Sequence, residues 1–231
     1  MCDDVTRPHI RVRGSREQRR CILIVTEGAK TEPKYFCSLR QNLKLTATTV
    51  QVVPADATDP AGIVEFARSC HEARASGARA GYGVAYDETW VVFDSEQRLD
   101  TPQLNDALDR ARSLKIRVAM SAPCFEYWLL LHHTYSTRYM CSYREAQEAL
   151  RRHIPHYDKT NPPVDDLWPR VPDAVNNAAL CRQNCEPPRT YPFTDVDHLV
   201  GALDAAAAED YRILGRDYEG AEVGTAGVTG D

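Results

Sequence analysis

The sequence of 231 residues has no apolar run near the roughly 18 residues that a membrane-spanning helix requires. Its densest stretch, WLLL at 128–131, is flanked by Glu126 and His132. The first twenty positions are dominated by Arg and Asp and contain no apolar signal-peptide segment, so a soluble, cytoplasmic chain with no membrane partner is expected. Lysine is scarce, with only five (30, 34, 44, 115 and 159) among 28 basic residues, and the formal net charge is −5. A general polyanion binder is thereby excluded, and any nucleic acid must meet a local basic surface. The eight cysteines fit neither a disulfide framework nor a zinc knuckle. Cys181 and Cys185 form an x3 pair without a second pair to match, so reduced thiols are expected. No GxxxxGK[ST] loop, GxGxxG fingerprint or GxSxG elbow occurs. The chain therefore has no P-loop of its own, and Cys124 has no evident base partner in sequence.

What is present is an ordinary globular composition, 43% hydrophobic and 26% charged, enough to bury a sizeable core. Strand and helix signals alternate. CILIVT (21–26), TTVQVV (48–53), WVVFD (90–94) and IRVAMS (116–121) read as strands, the first and third being continuous apolar runs of the buried parallel kind. Between them Thr31 reads as the N-cap of a helix carrying Tyr35, Phe36, Leu39 and Leu43, while Asp59-Pro60 and Thr101-Pro102 open two more. This rhythm predicts an α/β fold, a parallel sheet sandwiched by helices. From about residue 134 strands disappear; Ser142 and Glu145 form a capping box for a helix to Arg152, and 194–213 reads as a long helix. Four segments follow: a basic N-terminal arm (1–20) with six Arg, an α/β core (21–134), a helical C-terminal region (135–216), and a Gly-rich tail (217–231) read as disordered. The arm can touch phosphates or simply lead into the first strand.

In open parallel sheets, ligands bind beyond the carboxyl ends of the strands. Glu27 follows the first strand, Asp94 and Glu96 the third, and Glu126 the fourth. Carboxylates gathered there repel unless a cation sits among them, and oxygen donors without convergent His or Cys suit Mg²⁺ or Mn²⁺. Taken singly, an acid after a strand reads as a helix cap or a solvated loop residue; the coincidence of acids after three separate strands is what raises the metal reading. Glu32 and Lys34 read as first-turn helix charges, and His132-His133, His153 and His156 as packing, capping or surface residues.

These residues also carry a resemblance. ILIVTEGAKTEPKYF resembles the N-terminal signature of RloB-like proteins, usually EGEKTE; WVVFDSE resembles their FDxD strand, SAPCFEYWLLLHH their SNPCFExWLLLHF segment, and YDKT (157–160) their Y-x-K motif. The resemblance runs in order across about 20–200. It implies a TOPRIM-like α/β fold and a link to bacterial anti-phage and abortive-infection operons, often beside an ATPase gene. By it, Glu27 takes the place of the TOPRIM Glu, Asp94 with Glu96 that of the DxD pair, and Glu126 and Lys159 fall on further motif positions. Ala29 replaces the second Glu of EGEK, and Glu96 lengthens the arm expected of Asp.

The expected activity is a Mg²⁺- or Mn²⁺-dependent nuclease acting on DNA or RNA, tRNA included, as a toxin in phage defence. Its metal ligands would be Glu27, Asp94, Glu96 and Glu126, with Lys159 neutralising developing charge. An ATPase encoded nearby and a second copy of the chain are the expected protein partners. A non-catalytic sensor or adaptor docking on the ATPase is the alternative, and nucleotidyl transfer a third.

Overall fold

The apolar runs lack polar alternation because both of their faces are covered. In the computed structural model, which describes residues 19–46, 50–96, 98–184 and 191–213, they form one five-stranded sheet. The strands are β1 (Ile22–Thr26), β2 (Val50–Pro54), β3 (Glu88–Asp94), β4 (Arg117–Ala122) and β5 (Phe193–Thr194), ordered β2-β1-β3-β4-β5. The first four are parallel, with Ile24 opposite both Val52 and Trp90, and Val92 opposite Ala119. The mostly parallel α/β architecture expected from the alternating pattern is thus the observed one.

The chain leaves β1 for β2 on one side and returns across β1 to β3 on the other. Strand order therefore reverses between β1 and β3, which opens a crevice at their carboxyl ends. Alternate strand residues feed two cores. Ile22, Ile24, Trp90 and Val92 pack with Phe36, Trp128, Ala178 and Leu199, whereas Leu23, Val25, Val91 and Phe93 pack with Ile63, Val64 and Leu104. The first core thus holds α1 (Thr31–Asn42), α4 (Phe125–Leu131), α7 (Val171–Gln183) and α8 (Val196–Ile213) on one face. The second holds α2 (Pro60–Arg79) and α3 (Pro102–Ser113) on the other. Two shorter helices, α5 (Tyr143–Leu150) and α6 (Val164–Leu167), complete the C-terminal region.

Several local signals act as the sequence predicts. Asp59 and Thr101 cap α2 and α3 by accepting from the Gly62 and Leu104 amides, and the Ser142–Glu145 box caps α5. Others do not. Thr31 is the first residue of α1 rather than its cap; Lys30 holds that position, and the Thr31 hydroxyl donates instead to the Lys159 carbonyl at 2.9 Å. Strands do not end at 134, because β5 pairs antiparallel with β4, Thr194 opposite Ser121. Two residues are too few to show a period, and they delay the last helix to Val196. Helix α5 stops at Leu150, with Arg151 as its C-cap. Val196, Leu199, Val200 and Leu203 of α8 are buried in the first core. Positions 1–18 of the basic arm, strand positions 48–49, Cys185 and the 217–231 tail lie outside the described residues. Arg19 and Arg20 form ion pairs with Asp210, Glu88 and Glu209.

His132 is fully buried, its Nδ1 3.0 Å from the Trp128 carbonyl and its Nε2 3.0 Å from the Tyr35 hydroxyl. A carbonyl can only accept, so Nδ1 carries the proton and Tyr35 donates to Nε2. Burial pushes its pKa down to about 3, which fixes it as a neutral packing residue. No disulfide joins the described cysteines, and among the described residues no helix is long and apolar enough to cross a membrane.

Arg182 ties α7 to the β5–α8 junction. Its Nη1 donates to the Thr194 carbonyl at 2.9 Å and to Asp197 Oδ1 at 2.7 Å, and Asp197 is buried. Removing one partner of a buried pair strands the other; because Arg182 keeps some water contact, Arg182→Ala should cost about 2–3 kcal/mol. Urea unfolding checks this, and an unchanged midpoint would mean that the pair contributes nothing.

Candidate active site

Helix α1, helix α4 and the ends of β1 and β3 all deliver acids to the β1/β3 crevice. The Glu27 amide donates to the Val92 carbonyl at 2.9 Å, which continues the sheet one residue past β1. Its carboxylate Oε2 accepts from the Asp94 amide at 3.0 Å. Glu27 and Asp94 are both half-buried, and both carboxyls are held above their ordinary range. Burial is the main cause for each. At Asp94, which is raised well above 3.8, the neighbouring Glu32, Glu126 and Glu27 add to it.

Glu126, in the first turn of α4, is fully buried. Its Oε1 accepts from the Tyr157 hydroxyl at 2.9 Å, and its Oε2 has no hydrogen-bond partner among the described residues. The 157–160 loop is pinned to the start of α1 by two further bonds. Thr31 donates to the Lys159 carbonyl, and Lys34 Nζ donates to the Thr160 carbonyl at 2.7 Å. This docking sets the Lys159 ammonium over the Tyr143 ring, 5.1 Å from its centroid. Burial works against the charge of Lys159, but Glu126, Asp94 and Glu32 outweigh it and raise its pKa.

Glu32 is the residue that helical spacing alone could not reveal. It reads as an ordinary first-turn charge, yet it is 3% exposed and its Oε2 has no hydrogen-bond partner among the described residues. Its carboxyl is raised chiefly by burial, against the pull of its own backbone amide and Lys159. The carboxylate lies against Gly28, where a Cβ would meet Oε2 at 2.2 Å and Oε1 at 2.6 Å. Two signals in the sequence could have marked it: it closes the EGAKTE run (27–32) that carries the family resemblance, and a glycine stands four residues before it at a strand-to-helix turn.

Glu96 departs from the group. Its side chain is 66% exposed and pairs with Arg98 at 3.2 Å. Its backbone has φ +49° and is anchored to the Pro123 carbonyl, a turn that points the residue outward. Glu27, Asp94, Glu126 and Lys159 are thus brought together as the sequence suggests, Glu32 joins them, and Glu96 stands at the rim.

A cleft of about 390 Å³ opens onto this cluster, with Asp94, Lys159, Tyr143, Arg98, Cys124 and Glu96 in its wall. Cys124 is buried, and burial, then Glu126 and Asp94, hold its thiol well above the usual range, so it cannot act as a thiolate. Oxygen donors with two orphaned buried atoms, Glu32 Oε2 and Glu126 Oε2, fit a hard divalent cation. Among the described residues, however, no three Asp, Glu, His or Cys side chains stand where they could hold an ion together. Holding one therefore requires the carboxyls to lose protons and draw in.

The fold and site define a doubly wound α/β protein with an acidic cluster and one lysine at its switch point. The model of the RloB-like protein family matches residues 22–203, most of the chain, and the protein belongs to that family. No curated protein and no solved structure matches it.

The raised carboxyls have a direct consequence for stability. A folded-state pKa above the unfolded value means that stability is full at low pH and declines as pH climbs through the raised pKa. Lys159, also raised, contributes stability lost only above about 10.5, outside this window. In EDTA, Asp94→Asn should therefore be more stable than wild type at pH 7.5, with the gap narrowing toward pH 4. Urea midpoints at the two pH values measure it, and a gap that is absent or widens on acidification is the contrary result.

Gly28→Ala tests the place of Glu32. The added methyl displaces the carboxylate, so the substitution should destabilise wild type more than it destabilises Glu32→Ala. The coupling expected from a double-mutant cycle is about 0.5–1 kcal/mol, and zero coupling would place Glu32 elsewhere.

Proposed function

We propose that the protein is a divalent-metal-dependent phosphodiesterase, a nuclease acting as effector in bacterial phage defence. The single observation that supports this most is the burial of Glu32 and Glu126 beside Asp94, with two carboxylate oxygens that find no hydrogen-bond partner among the described residues. A fold gains nothing from such atoms unless they serve a ligand. The defence role rests on the family resemblance, whose members sit in anti-phage operons.

Asp94, Glu27, Glu32 and Glu126 would hold Mg²⁺ or Mn²⁺, with Glu96 contributing only if it leaves Arg98. The ion would polarise the scissile phosphate and stabilise the leaving 3′ oxygen. Glu27 is fixed by the Asp94 amide, where it would either join the ion or take the proton of the attacking water. Lys159, carried on the pinned 157–160 loop, neutralises charge building on the phosphoryl oxygens. The cleft beside them gives the substrate access.

A second reading, a non-catalytic subunit that docks on an ATPase, draws on the outward Glu96 and on the lack of a ready-formed ligand set among the described residues. The two readings differ in what purified protein does. Mixed with its neighbouring ATPase, plasmid or total tRNA, and Mn²⁺, the nuclease cleaves; the chain alone cleaves weakly or not at all, since it has no P-loop to drive its own switch. Asp94→Ala should abolish cleavage, and Lys159→Ala should lower it by about 10²–10³. No cleavage in any assembly would leave the adaptor reading, and full-rate cleavage by the lone chain would remove the partner.

A further inference from the structure

The cleft carries more than the acidic cluster uses. Its wall includes Tyr143, which is 37% exposed, and Arg98, whose buried Nε has no hydrogen-bond partner among the described residues and whose Nη2 pairs with the exposed Glu96. Tyr143 is held at two points. The Lys159 ammonium sits over its ring, and its hydroxyl accepts from Gln147 Nε2 one turn along α5. A half-exposed aromatic fixed at both ends costs little further ordering on binding a ligand, so it suits a stacking platform. Lysine and arginine in the same wall supply two sites for anionic oxygens near that ring.

Size limits the ligand. About 390 Å³ lies at the low end of small-ligand pockets, roughly 300–1,000 Å³, and matches one nucleotide unit inside the cleft. Bases inside a duplex are stacked on each other and present no free face to a tyrosine; an unpaired base does. We infer that the site takes single-stranded nucleic acid, with one unpaired base stacked on Tyr143, its phosphate directed to Lys159 beside Asp94, and an adjoining phosphate taken by Arg98 in place of Glu96. This inference rests on the phosphodiesterase reading and adds the substrate class to it. Tyr143 and Arg98 are then substrate-positioning residues and do not take part in the chemistry.

Binding can be measured separately from cleavage. The full chain, with Ca²⁺ replacing Mg²⁺, is titrated by fluorescence anisotropy against adenosine hexamers (ribo and deoxyribo), a fully abasic hexamer and a blunt duplex. Wild type should bind at least one single-stranded hexamer, and bind the abasic and duplex probes about tenfold or more weakly. Tyr143→Leu, which keeps an apolar side chain but no ring face, should bind the intact and abasic hexamers alike; Tyr143→Phe should retain the preference. Arg98→Gln should weaken intact and abasic probes by the same factor. Equal binding of duplex, an abasic preference unchanged in Tyr143→Leu, or no binding of any hexamer overturns the inference. Cleavage of plasmid or tRNA alongside any of those results leaves the nuclease reading intact. Base-dependent hexamer binding without cleavage in any assembly removes the nuclease reading alone.

Discussion

Keeping acidic oxygens out of water at one edge of a parallel sheet is the constraint on which the rest of this molecule depends. Glu32 and Glu126 are buried and Asp94 is partly so, yet Lys159 is the cation that all three share. Coulomb repulsion among carboxylates at low dielectric is expensive, so the carboxyls of Asp94, Glu27 and Glu32 rise above their ordinary range in place of ionising freely. Everything around them limits that cost. The Asp94 amide satisfies Glu27, the Tyr157 hydroxyl satisfies half of Glu126, and a glycine makes room for Glu32.

The C-terminal region is the means by which the cluster is held. Lys159 and Tyr157 belong to a loop without regular structure, which would cost several residues of conformational freedom to fix. Thr31, Lys34 and Glu126 fix it from α1 and α4, so the loop and the acids order one another. Helices α7 and α8 in turn bury α4 in the first core, with the Arg182–Asp197 pair closing the β5–α8 junction. The helices beyond residue 134 are thus what places a lysine opposite the strand ends.

Much of this was legible in the sequence, for a simple reason. Parallel strands buried on both faces write themselves as apolar runs, and the residue after each run must lie at one sheet edge, so Glu27, Asp94 and Glu126 could be named from position alone. Lys159 came from its motif. Glu32 closes the EGAKTE run, yet as a first-turn helix charge it did not declare itself, because a helical register says which face a residue occupies but not what covers that face. Glu96 stands at the rim for a related reason: the third strand ends at Asp94, and the turn beyond it takes a left-handed residue that points outward. The two-residue β5 and the inward face of α8 depend on tertiary pairing, which no local pattern encodes.

The central claim is that these carboxyls hold a hard divalent cation when they ionise. Electron paramagnetic resonance of Mn²⁺ titrated into the purified chain at pH 7.5 tests it most directly, since bound ion disappears from the free-ion signal. Wild type should take up at least one Mn²⁺ per chain, Asp94→Asn should take up none at that site, and Glu32→Gln should bind more weakly. A free-ion signal undiminished by wild type, or equal uptake by Asp94→Asn, would contradict it.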